Sequence, residues 1–388
     1  MALATLIGAS NASALTITIV NLDGSLEGFN DATPVVAVGG NSGTTLGEQR
    51  LKVFEHAASI WAAVLAGSVE VRVGANFDPL TCTASSATLG QAGPTTVHRD
   101  FAGALVAGTW YPQALANQLA GADLDNLNDD IAAQFNASIG TTCAFPCTWY
   151  YGLDGNPPGC DIDLLSVVLH EIGHGLGFLT LVDRVTGAKF LGRDDAFMLS
   201  LEDHSLGLSY DQMSNAERAA ANVATGDLHW IGPAVVGVSA VLSAGVNVDG
   251  HVEMFAPNPS QPGSSLSHFS DVLSPDEAME PFYTSPNHSP GLALELLEDL
   301  GWDASLCGDV NADGVVNIVD ALLVAQLSVH LRECSSMANA GVCDINPVGA
   351  SDGTCNIADA LRMAQCDVGL ISCGFSCVPL FCAPAAAP

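Results

Sequence analysis

The spacing of apolar residues changes between strand-like and helix-like along the first 300 residues. Residues 15–20 (LTITIV) are mostly β-branched and residues 69–77 (VEVRVGANF) alternate, and both patterns predict strands. Residues 78–160 are rich in Gly, Pro, Asn and Thr, and residues 181–267 give no clear pattern. Apolar positions that share one face of a helix occur in residues 45–66, 112–121, 163–178 and 292–300. The mixture predicts an α+β fold.

The helix predicted over residues 163–178 contains the sequence HEIGH at residues 170–174. Its histidines are four positions apart, so they lie on one face of the helix and can bind one Zn²⁺ together. Zinc lowers the pKa of a bound water to about 7, and Glu171 would take the proton of that water. Gly175 and Gly177 follow and favour the end of the helix. The motif predicts a zinc-dependent hydrolase with Glu171 as the general base.

A catalytic zinc needs a third protein ligand besides the two helix histidines. The short metzincin pattern HExxHxxGxxH fits at Gly177 but fails at its last position, which holds Thr180. Farther along, His268 lies in the segment SHFS, and residues 275–281 (PDEAMEP) follow it. Residues 297–302 (LEDLGW) then end this part of the chain with a helix-like segment.

These segments resemble the leishmanolysin-like metzincins, in which a long insertion precedes the third histidine. The resemblance implies a zincin-like fold, cleavage of peptide bonds, and an insertion over residues 181–267. It also implies that Met279 forms the Met-turn beneath the metal, although Met-Glu-Pro departs from the family's usual small or apolar middle residue. The zinc ligands that it implies are His170, His174 and His268.

Other side chains leave alternatives open for the third ligand. Glu202 could be a carboxylate ligand of the gluzincin type, but Gly177 and Met279 would then have no role. We expect His204 and His229 to be ordinary surface or loop histidines.

Aromatic residues near the motif also allow two interpretations. Tyr283 could stabilise an oxyanion, but a packing or surface tyrosine is more common. The aromatic residues 149–151 could line a substrate cleft or belong to the core.

An oxygen-rich motif begins beyond the zinc-binding part of the chain. Residues 309–320 (DVNADGVVNIVD) place oxygen side chains at loop positions 1, 3, 5, 9 and 12 and glycine at position 6. Ca²⁺ binds such loops through these oxygens and the backbone carbonyl of position 7. The predicted calcium ligands are Asp309, Asn311, Asp313, Val315, Asn317 and Asp320.

This motif is duplicated, because residues 316–326 (VNIVDALLVAQ) recur as residues 355–365 (CNIADALRMAQ). Four extra residues, 347–350, interrupt the register of the second loop. The duplicated loop and helix, with Asp at position 12, resemble a dockerin domain, which implies a cohesin-type partner. A calcium-stabilised module without a partner is the alternative. The second loop would use Asp344, Asn346, Asp352, Thr354, Asn356 and Asp359.

Charge restricts the classes of partner. The chain has Lys+Arg 10 against Asp+Glu 42, a formal net charge of −32. Nucleic acids and anionic membrane surfaces require Lys and Arg, so neither is an expected partner. No apolar run reaches the roughly 18 residues that span a membrane.

The 12 cysteines indicate the compartment, since four lie in the first 300 residues and eight between positions 307 and 382. Dense cysteines favour disulfides and export over a second zinc site at Cys373 and Cys377. For Cys82 we expect a disulfide rather than a thiolate that blocks the zinc.

The predicted organisation has four parts. Residues 1–14 resemble the end of a signal peptide, with a first strand as the alternative. Residues 15–303 form the catalytic domain, residues 304–378 the small helical dockerin-like domain, and residues 379–388 a tail. The predicted function is a secreted zinc endopeptidase. The alternative is a non-catalytic extracellular binding or adhesion protein with a vestigial zinc site.

Overall fold

The computed structural model describes residues 15–345, 354–373 and 375. Backbone contacts divide the chain into two units. The larger unit contains residues 17–61 and 69–302. The smaller unit contains residues 62–68 and the described residues from 303 onward, together with residues 15 and 16.

Helices lie where the apolar spacing predicts them in the first 300 residues. The segments predicted over 45–66, 112–121, 163–178 and 292–300 correspond to the first three helices and the sixth, and the predicted α+β class is confirmed. The helices are α1 (Leu46–Val64), α2 (Gln113–Ala120), α3 (Leu164–Leu176), α4 (Asn215–Ala221), α5 (Pro233–Val238), α6 (Ala293–Leu300), α7 (Ile318–Ser328) and α8 (Ile357–Asp367).

Most strands are short, and only β1 and β3 correspond to segments that the sequence predicts as strands. The strands are β1 (Ile17–Asn21), β2 (Leu65–Ala66), β3 (Val71–Asp78), β4 (Gly90–Pro94), β5 (Val97–His98), β6 (Tyr111–Pro112), β7 (Ile131–Asn136), β8 (Trp149–Tyr150), β9 (Ile162–Asp163), β10 (Leu201–Asp203), β11 (Leu208–Ser209), β12 (Leu228–Trp230), β13 (Val252–Glu253) and β14 (Asp303–Ala304).

The main sheet of the larger unit has the strand order β1-β3-β7-β4. The first three strands are parallel, whereas β4 runs antiparallel to β7 at the edge. Phe54 of α1 packs against Phe77 and Phe135, which lie opposite each other on β3 and β7. The Trp61 indole N–H donates to the Leu169 carbonyl at 2.9 Å, which ties α1 to α3. The core therefore fixes α3 beside both α1 and the sheet.

Residues 181–267 contain a second, antiparallel sheet with the order β11-β10-β12-β13. Trp230 of β12 is fully buried and packs against Phe197. These strands could not be predicted, because strands of two or three residues are too short to show a period.

The two helices of the smaller unit are packed by equivalent residues of the repeat. Ala321 and Val324 of α7 are buried, and so are Ala360 and Met363 of α8. Asn317 and Asn356 cap the two helices through their side chains, each with a reciprocal Asp three residues on. The duplication that the sequence predicts is therefore also a duplication of local structure.

The cysteines of the described residues form disulfides, as predicted, and include no free thiol, whereas Cys377 and Cys382 lie outside those residues. Cys82 is bonded to Cys143, so it is not a free thiolate, and Cys373 is bonded to Cys366 rather than held for a metal. Further pairs are Cys147–Cys160 and Cys343–Cys355. Disulfides form in oxidising compartments, so these bonds are compatible with an extracellular protein. Within the described ranges, none of the helices is both long and apolar enough to cross a bilayer.

Candidate metal centre

Helix α3 carries the predicted zinc motif and has clear start and stop signals. Asp163 caps its first turn, accepting a hydrogen bond from the Ser166 backbone N–H at 2.8 Å. Leu164, Leu165 and their apolar neighbours on the helix are buried. The helix ends at Gly177, whose φ of +134° lies in a region that L side chains rarely adopt. The chain therefore turns away just after the second histidine.

Three histidine side chains converge on one point. His170 Nε2 lies 3.0 Å from His174 Nε2 and 3.1 Å from His268 Nε2. His174 Nε2 and His268 Nε2 are 3.2 Å apart. The structure therefore brings His268 beside the motif, across the 93 residues that separate it from His174.

The opposite ring nitrogens determine which tautomer each histidine adopts. The Nδ1 atoms of His170, His174 and His268 lie 2.8, 2.8 and 2.7 Å from backbone carbonyl oxygens, those of Ala278, Phe178 and Ser264. A carbonyl oxygen only accepts, so each Nδ1 carries the proton and each Nε2 presents a lone pair.

Three lone pairs that face one another repel, and a cation between them removes that repulsion. Nitrogens bound to a tetrahedral Zn²⁺ at about 2.0–2.1 Å are separated by roughly 3.3 Å. The observed separations of 3.0 to 3.2 Å fit this requirement closely. Metal-bound histidines also commonly donate from the other ring nitrogen to a carbonyl or carboxylate. The donor set therefore fits a zinc-type ion.

Burial keeps the three imidazoles neutral. Desolvation lowers the pKa of His174 to about 3 and also lowers the pKa of His170. Desolvation, together with the neighbouring histidines, lowers the pKa of His268 well below its usual value. Neutral imidazoles are the form that binds a metal.

Glu171 follows His170 on α3 and lies against the edge strand β4. Burial raises the pKa of its carboxyl to about 8, while a hydrogen bond with the Ala92 backbone opposes the rise. A Cβ atom at Gly90 of β4 would come within 3.0 Å of both Glu171 Cγ and Glu171 Oε1. The carboxyl group therefore occupies the space that a side chain at position 90 would fill. A nearby divalent cation would lower this pKa and favour the carboxylate.

Met279 lies beneath the helix, in the segment where the resemblance implies a Met-turn. Its side chain is fully buried, and a Cβ atom at Gly173 would approach Met279 Sδ to 2.8 Å. The sulfur is thus in contact with the helix backbone between the two histidines of the motif. The adjacent Ala278 carbonyl accepts from His170, so this segment also orients a ring of the cluster.

Several candidate residues lie elsewhere or have structural contacts. The hydroxyl of Thr180, at the position that the short pattern reserves for histidine, donates to Asp195 at 2.9 Å. Tyr283 accepts a hydrogen bond from the Asp163 backbone N–H, so it supports the start of α3. Trp149 and Tyr150 are almost fully buried, which agrees with the core interpretation of these aromatic residues.

Sequence reasoning did not identify a second cluster of metal-ligand side chains. Glu202, His204 and His251 present ligand atoms that all lie within 4.8 Å of one another. Glu202 therefore belongs to this group and not to the three-histidine cluster. The signal in the sequence was Glu202-x-His204, a spacing that places both side chains on one face of a strand. Two groups in the described residues could thus hold a metal ion.

The predicted calcium loop is organised mainly by its own backbone. Asp309 accepts from the N–H groups of Asp313 and Gly314 at 3.1 and 2.8 Å. Asp320 accepts from those of Asn311 and Asn317 at 3.1 and 2.9 Å. Desolvation raises the pKa of both carboxyls. The carboxylates of this loop do not form a group as close as the two histidine clusters.

The second loop repeats part of this arrangement. Asp359 accepts from the Ile345 and Asn356 backbone N–H groups at 3.0 and 2.9 Å, as Asp320 does in the first loop. Asp344 is fully buried. The predicted ligands Asn346 and Asp352 lie outside the described residues.

Comparison with known proteins adds one match. A family model described as SPBPB7E8-like, for an uncharacterised family, matches residues 52–186. The match covers about a third of the chain, includes the whole of α3 and ends before His268. No curated protein and no solved structure matches the chain.

Proposed function

We propose that the larger unit is a zinc-dependent endopeptidase similar to the leishmanolysin-like metzincins. The observation that supports this most is the convergence of three Nε2 lone pairs, with the buried carboxyl of Glu171 on the same helix. His170, His174 and His268 would hold the metal. Bound zinc would polarise the substrate carbonyl and acidify a water molecule.

Glu171 is the residue that would move the proton in this proposal. As a carboxylate it accepts a proton from the attacking water and then passes it to the leaving amine. Its contact with β4 holds the side chain in place, so the base does not need to reorganise during the reaction. A merely structural metal does not require a carboxyl at this position, which disfavours the adhesion-protein alternative.

The edge strand offers a way to bind a peptide substrate. Strand β4 pairs with β7 on one side and is the last strand of its sheet. An extended peptide can add to such an edge through main-chain hydrogen bonds. Because Gly90 of β4 contacts Glu171, a peptide on this edge would pass close to the base. Main-chain binding of this kind suits an endopeptidase that acts on unfolded or extended segments.

Cleavage of casein or gelatin tests the proposal. The purified chain should cleave the protein, lose activity with a chelator, and regain it when zinc is restored in the presence of calcium. Cleavage that withstands chelation would contradict the zinc mechanism. Stoichiometric zinc binding without cleavage of any protein substrate would favour the binding-protein alternative.

For the smaller unit we propose a calcium-binding, dockerin-like module that docks to a cohesin-type partner. Ile318 and Leu322 of α7 are more than half exposed, and Ile357 and Leu361 of α8 are exposed to the same extent. These pairs occupy equivalent positions of the repeat, so each helix presents the same apolar side chains. Exposed apolar patches that recur in this way suit an interaction surface.

A pull-down with a cohesin domain, in calcium and in chelator, tests the docking proposal. Capture should depend on calcium and should fall when Leu322 and Leu361 are both changed to Ser. Calcium-dependent folding without capture would support the stabilising module alone. Export of the whole chain is likewise a proposal, for which the disulfides are the support.

A further inference from the structure

A second cluster of metal-ligand side chains lies on the sheet of residues 181–267. Glu202 belongs to β10, His204 follows that strand directly, and His251 comes just before β13. Pairing of the strands aligns Glu202 with His229 and His229 with Glu253. His204 comes two residues after Glu202, and His251 comes two residues before Glu253. The side chains of Glu202, His204 and His251 therefore share one face of the sheet.

The distances between the three ligand groups suit a single ion. His204 Nδ1 lies 3.3 Å from Glu202 Oε1, and His251 Nδ1 lies 3.6 Å from Glu202 Oε2. Ligand atoms around a tetrahedral Zn²⁺ are separated by roughly 3.3 Å when each is about 2.0–2.2 Å from the metal. The carboxylate thus faces both imidazoles at a separation that an ion can bridge.

His251 gives an independent indication that a ligand is expected. Its Nδ1 atom is buried and makes no hydrogen bond. The Glu202 oxygen at 3.6 Å is too far for a hydrogen bond. A buried polar atom without a partner is uncommon and costs free energy, unless an ion or a water binds it. The atom points toward the carboxylate that would share the ion.

The turn before β13 holds His251 in this position. The Asn247 side chain accepts from the His251 backbone N–H at 3.0 Å and from that of Asp249 at 3.0 Å. Its Nδ2 atom lies 3.4 Å from His204 Nδ1. Asn247 therefore holds the turn that carries His251, and zinc at His204 Nδ1 would replace the contact of that atom with the Asn247 amide.

The ligand set indicates the class of ion. Two imidazoles and one carboxylate favour Zn²⁺ and related transition metals, whereas Ca²⁺ and Mg²⁺ prefer oxygen ligands only. His204 has 41% of its side chain exposed, so solvent or another ligand can reach the fourth position.

We propose that Glu202, His204 and His251 form a second zinc site, separate from the three-histidine centre. The ion ties the end of β10 to the turn before β13, and so stabilises the sheet that lies in sequence between His174 and His268. This site does not depend on the peptidase proposal, since zinc can bind here whether or not the chain cleaves peptides.

Zinc content per chain tests this inference. The metal-free full chain is loaded with zinc in excess calcium, separated from unbound metal, and analysed by mass spectrometry. We expect two zinc ions per chain in the wild type and one in the His204→Gln variant. His204 is exposed, so its substitution leaves the fold intact. His98→Gln changes a histidine outside both clusters and is expected to keep two zinc ions.

A second measurement removes the three-histidine centre and follows zinc at the proposed second site alone. In His170→Ala/His174→Ala, one zinc should remain, and adding Glu202→Gln should weaken its binding by about 100-fold or more, since losing even an indirect partner of a metal ligand costs about 10–100-fold. An unchanged zinc content in both His204→Gln and His251→Gln would overturn the proposal. A wild type with one zinc, lost in His204→Gln, would keep this site and contradict the three-histidine centre.

Discussion

The three-histidine centre and the loop of residues 309–320 differ in how their polar atoms are satisfied without an ion. In the loop, Asp309 and Asp320 each accept two backbone N–H groups, so the carboxylates have partners in the protein. In the histidine centre, the backbone satisfies only the Nδ1 atoms, and the Nε2 lone pairs face one another. The loop carboxylates are therefore bound by the protein itself, whereas the three histidines present lone pairs that a cation can bind.

This difference indicates what each ion would contribute. A buried lone pair without a donor is costly, so the histidine centre gains free energy mainly by binding a cation. The loop already has a hydrogen-bonded frame, and calcium would add to it. We therefore expect the histidine centre to be the more sensitive of the two to removal of a single ligand.

Glu171→Gln should separate chemistry from metal binding in the histidine centre. A general base contributes about 10²–10⁴-fold to such reactions, so cleavage of casein should fall by that factor. Zinc content should be unchanged, because Glu171 is not among the three converging ligands. The two readouts are the initial rate of cleavage and the zinc content per chain.

Asp154→Asn is a suitable control, because it changes a carboxyl that is exposed and hydrogen-bonded to Tyr150 away from the cluster. Its rate should stay close to that of the wild type. A Glu171→Gln protein with full activity would contradict the general-base role.

His268→Ala should weaken zinc binding at this centre by about 100-fold or more, because it removes a direct ligand and leaves two lone pairs. Competition with a chelating dye measures the affinity. Calcium binding by the smaller unit, measured in the same protein, should not change. His98→Ala serves as the matched histidine control. Unchanged zinc affinity in His268→Ala would contradict the contrast drawn between the histidine centre and the loop of residues 309–320, because the centre would then not depend on all three rings.

The sequence predicts the helix of this centre but not its assembly. The apolar spacing and the glycine at 177 are local signals, and α3 lies where they predict it. His268 is distant in sequence, and spacing alone cannot select it from several downstream histidines. Only the resemblance to a family did so. The carbonyl partners of the Nδ1 atoms depend on loop geometry that no sequence pattern encodes.

For the cluster of Glu202, His204 and His251, the sequence likewise predicts only part of the site. Glu202 and His204 have the spacing of one strand face, but His251 joins them only through the pairing of β10, β12 and β13. Those strands are too short to predict from alternation. The duplicated helices α7 and α8 were easier to predict from the sequence, because the repeat itself places Asp320 and Asp359 in equivalent positions.

Asp320→Asn tests the hydrogen-bonded frame of the loop. Asp320 is fully buried and accepts from Asn311 and Asn317 with its two oxygens. An amide has only one acceptor oxygen, so one backbone N–H would lose its partner at a cost of about 1–3 kcal/mol. The melting temperature of the smaller unit in chelator should fall by roughly 4–8 °C per kcal/mol.

Asp359→Asn is the matched variant in the second half of the repeat, and a similar loss is expected because its contacts are equivalent. Val319→Ala changes a side chain that is about half exposed in the first half and should have little effect. If Asp320→Asn melted like the wild type in chelator but differently in calcium, the frame would depend on the ion and the contrast with the histidine centre would disappear.

Glu277→Gln should produce the smallest change, in the pH dependence of the larger unit. Burial raises the pKa of Glu277 to about 7 from its usual 4.5, while the Leu292 backbone N–H opposes the rise. Between these two pH values the folded protein keeps a proton that the unfolded chain has lost, so stability falls as pH rises through this window.

Glutamine can still accept from Leu292 and carries no charge. The variant should therefore be more stable than the wild type at pH 8, by about 1 kcal/mol rather than the roughly 3 kcal/mol that the full pKa shift corresponds to, because the carboxyl is partly exposed and water screens it. This gain is roughly 2–4 °C in melting temperature, and the variant should match the wild type near pH 4. Because Glu277 lies two residues before Met279, a gain of this size would show that the segment beneath the histidines tolerates a neutral side chain. A variant that is less stable at pH 8 than at pH 4, relative to the wild type, would mean that the carboxylate itself supports the turn.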